Sequence, residues 1–540
     1  MARPLPPTGG RRWARLVPGF AKRYFVNRKL RQLGDIERLL AAELPQLLAR
    51  ENQARPAASA TTDGRRAFQS VARVAHLLGY SLLGKLQGEF REGRWLEVLQ
   101  TAASMGAVTL GVVPYLAAFA TQHKDDGLLA AVAARFPRAR PALTDGGKAW
   151  LTDTWGETDN DALAVEAVAA EAAVAGRRLT CVTCRDGVPP TAMRLHNFAP
   201  VGELELPECD RPRLWFPPFL ETIEWLEQQG FHELIVATPG PLGMAGLGAA
   251  KLLGLSVSGV YQTDLPRHVG QITRDPAMEE LTWKFLRWFY GQMDRVLVPS
   301  ECYRRHLAAN GFDRQRLRVA GHGVDPQQFQ PGRRDPRFNA RWGLRGAFTF
   351  LFAGRVAAET NIELLLGEFA RLRSTLPQVN LAVVGDGPLL DALRSRYRGL
   401  HVAFTGPLRG EALATAYASA DALVVPSRTL RFAPAVLEAQ AAGLPAIVSD
   451  WGDPRDIVEQ GGSGMMVNVQ CPGALASAMH RMATHPAEHA HWRRAATAHA
   501  HRHTWRRVVE RIWADEPPAP PPCDRGAPES VAELIALDVA

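Results

Sequence analysis

The chain is expected to be an α/β protein built from two parallel-sheet domains, on three observations. From Ala347 to Asn468, five short apolar runs alternate with amphipathic segments: Ala347 to Arg355, Val379 to Gly387, Val402 to Gly406, Ala422 to Ser427 and Ala446 to Asp450. Apolar runs of that length, ending in Gly, Pro or Ser and separated by helical periodicity, describe a parallel sheet wrapped by helices. The same alternation occurs earlier, from Ala149 to Asp325. Between the two lies Pro326 to Gly346, rich in Gln, Pro, Gly and Arg, as a linker should be.

In the earlier stretch, Ala149 to Trp155, Leu179 to Cys184, Glu233 to Gly240, Val257 to Asp264, Arg295 to Ser300 and Arg316 to Asp325 read as strands or their exits. Ala162 to Ala175 and Pro217 to Gln229 read as helices between them. Asp294-Arg-Val-Leu-Val-Pro-Ser300 and Asp421-Ala-Leu-Val-Val-Pro-Ser427 match in spacing and exit, in agreement with two similarly built domains. The domains are placed at 146–330 and 331–514, the second including the closing helices. They are preceded by a helical extension with a basic arm over 1–145 and followed by a disordered, proline-rich tail over 515–540.

Composition narrows the function classes. The net charge is +8, yet nine basic residues from Arg3 to Arg31 precede the first acidic one, Asp35. Without them the remainder is nearly neutral, which excludes a basic nucleic-acid-binding core. In the arm, Trp13, Leu16, Val17, Phe20, Tyr24 and Phe25 recur at roughly helical spacing. Either an interfacial helix on an anionic membrane surface or a flexible arm fits that pattern. Val98 to Gln122 has no charged residue, but its polar residues and Pro114 favour a buried or membrane-dipping helix pair over a membrane span. No secretory leader is expected, since Lys22 and Arg23 interrupt the apolar stretch. Six cysteines fit a reducing compartment, and Cys181 and Cys184 read as buried strand residues rather than a metal or redox pair. The expected location is cytoplasmic, with peripheral attachment to the membrane's inner face as an option. The Ala- and Arg-rich composition hints at a high-GC, bacterial genome.

Two polar residues lie near the strand ends of the later sheet, where open parallel sheets bind ligands: Arg355 and Glu438. A guanidinium with a carboxylate suits a ligand that carries both phosphate and hydroxyl groups, as a nucleotide sugar does.

Longer stretches carry a resemblance. Gly354-Arg-Val-Ala-Ala-Glu-Thr-Asn361, Val384-Gly-Asp-Gly-Pro388, Phe404-Thr-Gly406, Tyr417-Ala-Ser-Ala-Asp421, Val425-Pro-Ser427 and Leu437-Glu-Ala-Gln-Ala-Ala-Gly-Leu-Pro445 closely resemble the family-four nucleotide-sugar glycosyltransferases. Leu151-Thr-Asp-Thr-Trp155, Val260-Tyr-Gln-Thr-Asp264, Val298-Pro-Ser-Glu301 and His322-Gly-Val-Asp325 add the acceptor-side half. The resemblance covers roughly 149–514 and implies the two-domain GT-B fold with an interdomain cleft. It also implies transfer of a sugar from a nucleotide diphosphate to a lipid or glycan acceptor, with retention, without cofactor or required metal. Asp159-Asn-Asp161 is then a loop coincidence rather than a metal motif.

By the same resemblance, Arg355 holds the diphosphate and Glu438 accepts from the ribose hydroxyls. Asn361, Thr360, Leu430, Phe432 and Asp161 complete the donor surroundings, and Gln262 and Asp264 are the catalytic positions beside the reacting sugar. Four of these depart from the family: Thr360 stands for a lysine, Leu430 for a glutamate, Asp161 for a glycine and Gln262 for a histidine. Ala433 and Asp453 also replace glycines. Such departures admit a second reading, a catalytically silent homologue that acts as a binding or assembly partner.

Overall fold

A computed structural model describes residues 72, 76, 116 and 117, then 147–514 apart from 157–159, 189–190, 206–212, 346 and 428–432. The basic arm, most of Val98 to Gln122 and the tail therefore lie outside the described residues. Among those described, no helix is long and apolar enough to cross a membrane.

The first domain is a seven-stranded sheet in the order β3-β2-β1-β6-β7-β8-β9. Its strands are Lys148–Leu151 (β1), Leu179–Cys184 (β2), Leu195–Phe198 (β3), Glu233–Val236 (β6), Ser256–Val260 (β7), Arg295–Val298 (β8) and Leu317–Val319 (β9). A separate antiparallel hairpin pairs Gly202–Glu205 (β4) with Arg213–Phe216 (β5). All pairings in the large sheet are parallel.

Alternation sorts each strand's side chains to two faces. Ala149 and Leu151 join one core with the helices Phe219–Gln229, Pro241–Leu253 and Pro276–Gly291. Trp150 joins another core with the helix Asn160–Val174 and the last helix, Trp505–Ala514. The same rule separates Cys181 from Cys184, whose odd spacing puts them in opposite cores. Both are free, and burial pushes each thiol up to about 12, so neither is a thiolate at neutral pH.

The second domain is a six-stranded parallel sheet in the order β12-β11-β10-β13-β14-β15. Its strands are Phe348–Ala353 (β10), Val379–Val384 (β11), Val402–Gly406 (β12), Ala422–Val425 (β13), Ala446–Ser449 (β14) and Gly464–Val467 (β15). The central strands β10, β11, β13 and β14 are covered on both faces, which is why they read as unbroken apolar runs. The linker is part of this domain, because Phe329, Phe338 and Leu344 enter its core.

Both sheets reverse strand order beside their first strand, between β1 and β6 and between β10 and β13. Counted from that reversal, the matched heptapeptides occupy different places: β8 is the third strand on its side and β13 the first. The repeat is therefore local, not a mark of duplication. Each leading aspartate pins the start of the neighbouring parallel strand: Asp294 accepts the amide of Val257 at 2.8 Å and Asp421 that of Thr349 at 2.9 Å.

The last helix departs from the domain limits expected for 331–514. Val324 donates its amide to the His503 carbonyl at 2.8 Å, and Trp505–Ala514 then lies on the first domain's sheet. There Arg295 reaches the Ile512 carbonyl at 3.0 Å and also pairs with Glu233 at 2.8 Å. Lys148 and Ser258 bond the same carboxylate, so Glu233 holds a buried charge cluster together. The extension touches this domain too: the His76 imidazole accepts the Leu220 amide at 3.3 Å, at the start of Phe219–Gln229.

Candidate active site

The reversal between β10 and β13 opens a crevice beyond the strands' carboxyl ends. Three chain segments build its floor. The loop after β10 interlocks with the loop after β11: Val356 donates to the Asp386 carbonyl at 2.8 Å and Leu389 to the Val356 carbonyl at 3.1 Å. This crossing has no room for side chains. At Gly385, with φ 141°, a Cβ would lie 1.9 Å from the Gly354 oxygen, and at Gly387 it would lie 2.4 Å from the Val356 oxygen. The third segment is the exit of β13. Asn361 donates its amide to the Pro426 carbonyl at 3.0 Å, and the Ser427 hydroxyl donates to the Glu359 carbonyl at 3.3 Å.

Arg355 stands on this floor with its side chain 53% exposed and its Nε 3.7 Å from Glu359. An exposed pair at that distance holds its partners weakly, and a planar guanidinium at this place suits the oxygens of an anion. Asn361 adopts φ 55°, a left-handed conformation that a short amide side chain tolerates, and starts the helix Ile362–Thr375. Thr360 is buried, and its hydroxyl donates to the Ala357 carbonyl at 2.8 Å, so it faces the fold instead of the crevice.

Glu438 lies half-buried on the helix Ala433–Ala441. Burial pushes its carboxyl up to about 7, and a hydrogen bond from the Tyr417 hydroxyl opposes the rise. Leu430 and Phe432 lie outside the described residues. Asp161 is in the first turn of Asn160–Val174, and its side chain is likewise not described.

The two expected catalytic positions belong to the other domain, beyond β7. Gln262 accepts the Tyr303 hydroxyl on its backbone carbonyl at 3.0 Å. With His322, Trp150 and Trp505 it lines an open recess. Asp264 precedes the helix Leu265–Thr273, and its Oδ1 has no hydrogen-bond partner.

Asp453, on the second domain, joins the two halves. It is fully buried at the start of the helix Asp453–Gly461, where it accepts the Ser300 hydroxyl and lies 3.4 Å from His322 Nε2. Burial raises its carboxyl above the usual range, while His322 and Ser300 hold it down. Arg305 clamps Asp456 beside it with contacts of 2.9 and 3.1 Å. Sequence reasoning noted Asp453 only as a replaced glycine. Its partners lie more than a hundred residues away, and the sole signal was the unusual residue itself.

Two reversed parallel sheets facing one cleft, the chain's end crossing back onto the first, define a GT-B protein. The comparisons agree. Residues 347–485 match the family model described as Glycosyl transferases group 1, and residues 164–328 match Glycosyltransferase Family 4. Over these two domains the chain belongs to the group 1 and family 4 glycosyltransferases.

Its relatives include a GDP-mannose-dependent alpha-mannosyltransferase of Mycobacterium tuberculosis, 34% identical over 47% of this chain and 66% of the relative. A protein of the same description from Mycolicibacterium smegmatis is 35% identical over 45% and 62%. The sulfoquinovosyl transferase SQD2 of Arabidopsis thaliana is 30% identical over 46% and 48%. The chain thus spans about two thirds or less of these relatives. Among solved structures, sucrose-phosphate synthase from Thermosynechococcus elongatus aligns with TM-score 0.55 at 19% identity, over 68% of this chain and 97% of that one. Anabaena HepE in complex with UDP and glucose aligns with TM-score 0.54 at 16% identity, over 68% and 98%. At such identities these structures establish the fold alone.

Proposed function

We propose that the protein is a glycosyltransferase that moves a mannosyl residue from GDP-mannose to a lipid or glycan acceptor, with retention. The observation that carries this reading is the interlocked floor of the second sheet's crevice, which bears the exposed Arg355, with Glu438 on the helix that follows β13. A forked cation on its floor suits a diphosphate, and a half-buried carboxylate suits ribose hydroxyls. The choice of guanine and mannose is supported by the descriptions of the mycobacterial relatives. Their alpha linkage supports retention, since the donor is itself an α-glycoside.

In this mechanism Arg355 and backbone amides around the crevice stabilise the departing diphosphate as its charge develops, and no metal is required. Gln262, Asp264 and His322 border the space where donor sugar and acceptor meet. Asp453 sets the distance between the two halves by binding Ser300 and His322.

The test is calorimetric titration of the full chain with GDP, UDP and ADP, each with magnesium and with EDTA. Micromolar binding of GDP, equal in both buffers and lost in Arg355→Ala, is expected. Absence of binding to all three by folded protein overturns the proposal and turns attention to the silent-homologue reading.

A further inference from the structure

We propose that Ser449 is a positioning residue, its single hydroxyl proton shared between the loop that carries the crevice floor and the loop that meets the first domain. Through that proton, occupation of the crevice and contact between the domains strengthen each other. The inference deepens the donor reading given above and rests on it for GDP as the occupant. Ser449 ends β14 and is fully buried. Its hydroxyl lies 2.6 Å from the Ser427 carbonyl and 3.0 Å from the Trp451 carbonyl. A hydroxyl has one hydrogen to donate, so the two carbonyls compete for it. Whatever moves one carbonyl away gives the proton to the other.

Each carbonyl leads to a different part of the molecule. Ser427, also fully buried, donates its own hydroxyl to the Glu359 carbonyl at 3.3 Å, in the turn Ala358–Thr360. The Glu359 side chain is the one 3.7 Å from Arg355, so an anion that draws Arg355 toward itself acts on this turn. On the other side, Trp451 packs partly buried against the first domain's core, with the Arg267 guanidinium 6.0 Å from its ring. Gly452 follows with φ 85°, which L side chains disfavour, and turns the chain into Asp453 with its contacts to Ser300 and His322. A continuous run of contacts thus leads from the floor to the other domain, with Ser449 at its branch point. Coupling of this kind is reciprocal: the factor by which the domain contact tightens GDP is the factor by which GDP tightens the domain contact.

The experiment follows amide hydrogen exchange in the full chain, in Ser449→Ala and in Ser449→Thr, each with and without Asp453→Ala. Without ligand, Asp453→Ala is expected to speed exchange over the floor segment 354–362 about fivefold in the parent and in Ser449→Thr, which keeps a hydroxyl. In Ser449→Ala it should add nothing there. Arg305→Ala, which removes the Asp456 contact from the first domain's side, loosens the interface in a second way and should give the same pattern. With GDP as the probe, segment 300–306 of the first domain is expected to gain protection in the parent and none in Ser449→Ala. A merely structural serine would raise exchange throughout the second domain while the effect of Asp453→Ala persisted. That result, or an unmoved floor in the parent, overturns the proposal. If GDP protects no segment of the parent, the donor reading fails, and the ligand-free comparison still decides whether Ser449 joins the floor to the interface.

Discussion

The proposed ribose-binding role of Glu438 implies a pH dependence whose sign differs between binding and stability. Its folded value lies above its ordinary one, so its contribution to stability is complete below about pH 4.5 and is lost as pH rises through about 7. Acceptance from ribose hydroxyls needs the ionised form, so GDP affinity should rise over the range in which this contribution disappears. Titration at pH 6 and pH 8 checks it, with tighter binding at pH 8 expected and a flat profile in Glu438→Gln. Arg355→Ala should weaken GDP by about 1.5–3 kcal/mol, read as a change in Kd of tenfold or more, with an unchanged melting temperature because the side chain is exposed. The places of Arg355, at the exit of β10, and of Glu438, on the helix that follows β13, were legible from a strong motif string. The surroundings that tune them were not: Tyr417 reads as any core aromatic, and the burial of Thr360 follows from a turn the sequence does not announce.

Elements show where local pattern suffices and where it misleads. The strands β2 and β12 lie where their apolar runs place them, and β10, β11, β13 and β14 differ from expectation only at their ends. The run from Val379 was expected to reach Gly387, but β11 stops at Val384 because Gly385 and Gly387 must turn under the neighbouring loop. Gly385→Ala should cost about 2–4 kcal/mol in chemical denaturation, since its Cβ meets a carbonyl and its φ disfavours any L side chain. Three elements escaped notice for one reason. β3 (Leu-His-Asn-Phe), β15 (Gly-Met-Met-Val) and the β4–β5 hairpin lie at sheet edges or outside the main sheets, where polar residues are tolerated and the apolar signal fades. The closing helix Pro486–Ala500 is tied to the Glu438 helix by His499, which bonds Gln440 at 2.9 Å. Burial first, then nearby cations, lower this imidazole to about 4. A histidine kept neutral in the fold stabilises above pH 6.5 and loses that contribution as pH falls through about 4. The melting temperature of the parent should therefore fall over that interval more steeply than that of His499→Gln.

At the scale of the molecule, the fold class was readable from alternation, whereas the final crossing was not. Trp505–Ala514 has an apolar face like any amphipathic helix, and nothing in its own sequence says which sheet it covers. Ending the chain at residue 504 should uncover Trp150 and the groups now packed on Val508, Val509, Ile512 and Trp513. At about 1.5–3 kcal/mol for each large apolar side chain, this loss is on the order of 5–10 kcal/mol. The first domain should then fail to melt cooperatively, as followed by calorimetry.

That crossing also limits how the cleft can move. The polypeptide passes between the domains twice, once through the linker after Val324 and once back at Thr504, and the two passages run side by side, hydrogen-bonded to each other. A body joined to another by two adjacent strands turns about them like a cover about its spine, while sliding would break the bond between them. Donor and acceptor should therefore be brought together by an arc whose radius is the distance from that spine, so residues far from it travel farthest. Asp453, reaching across to Ser300 and His322, is the catch that such a cover meets when it shuts.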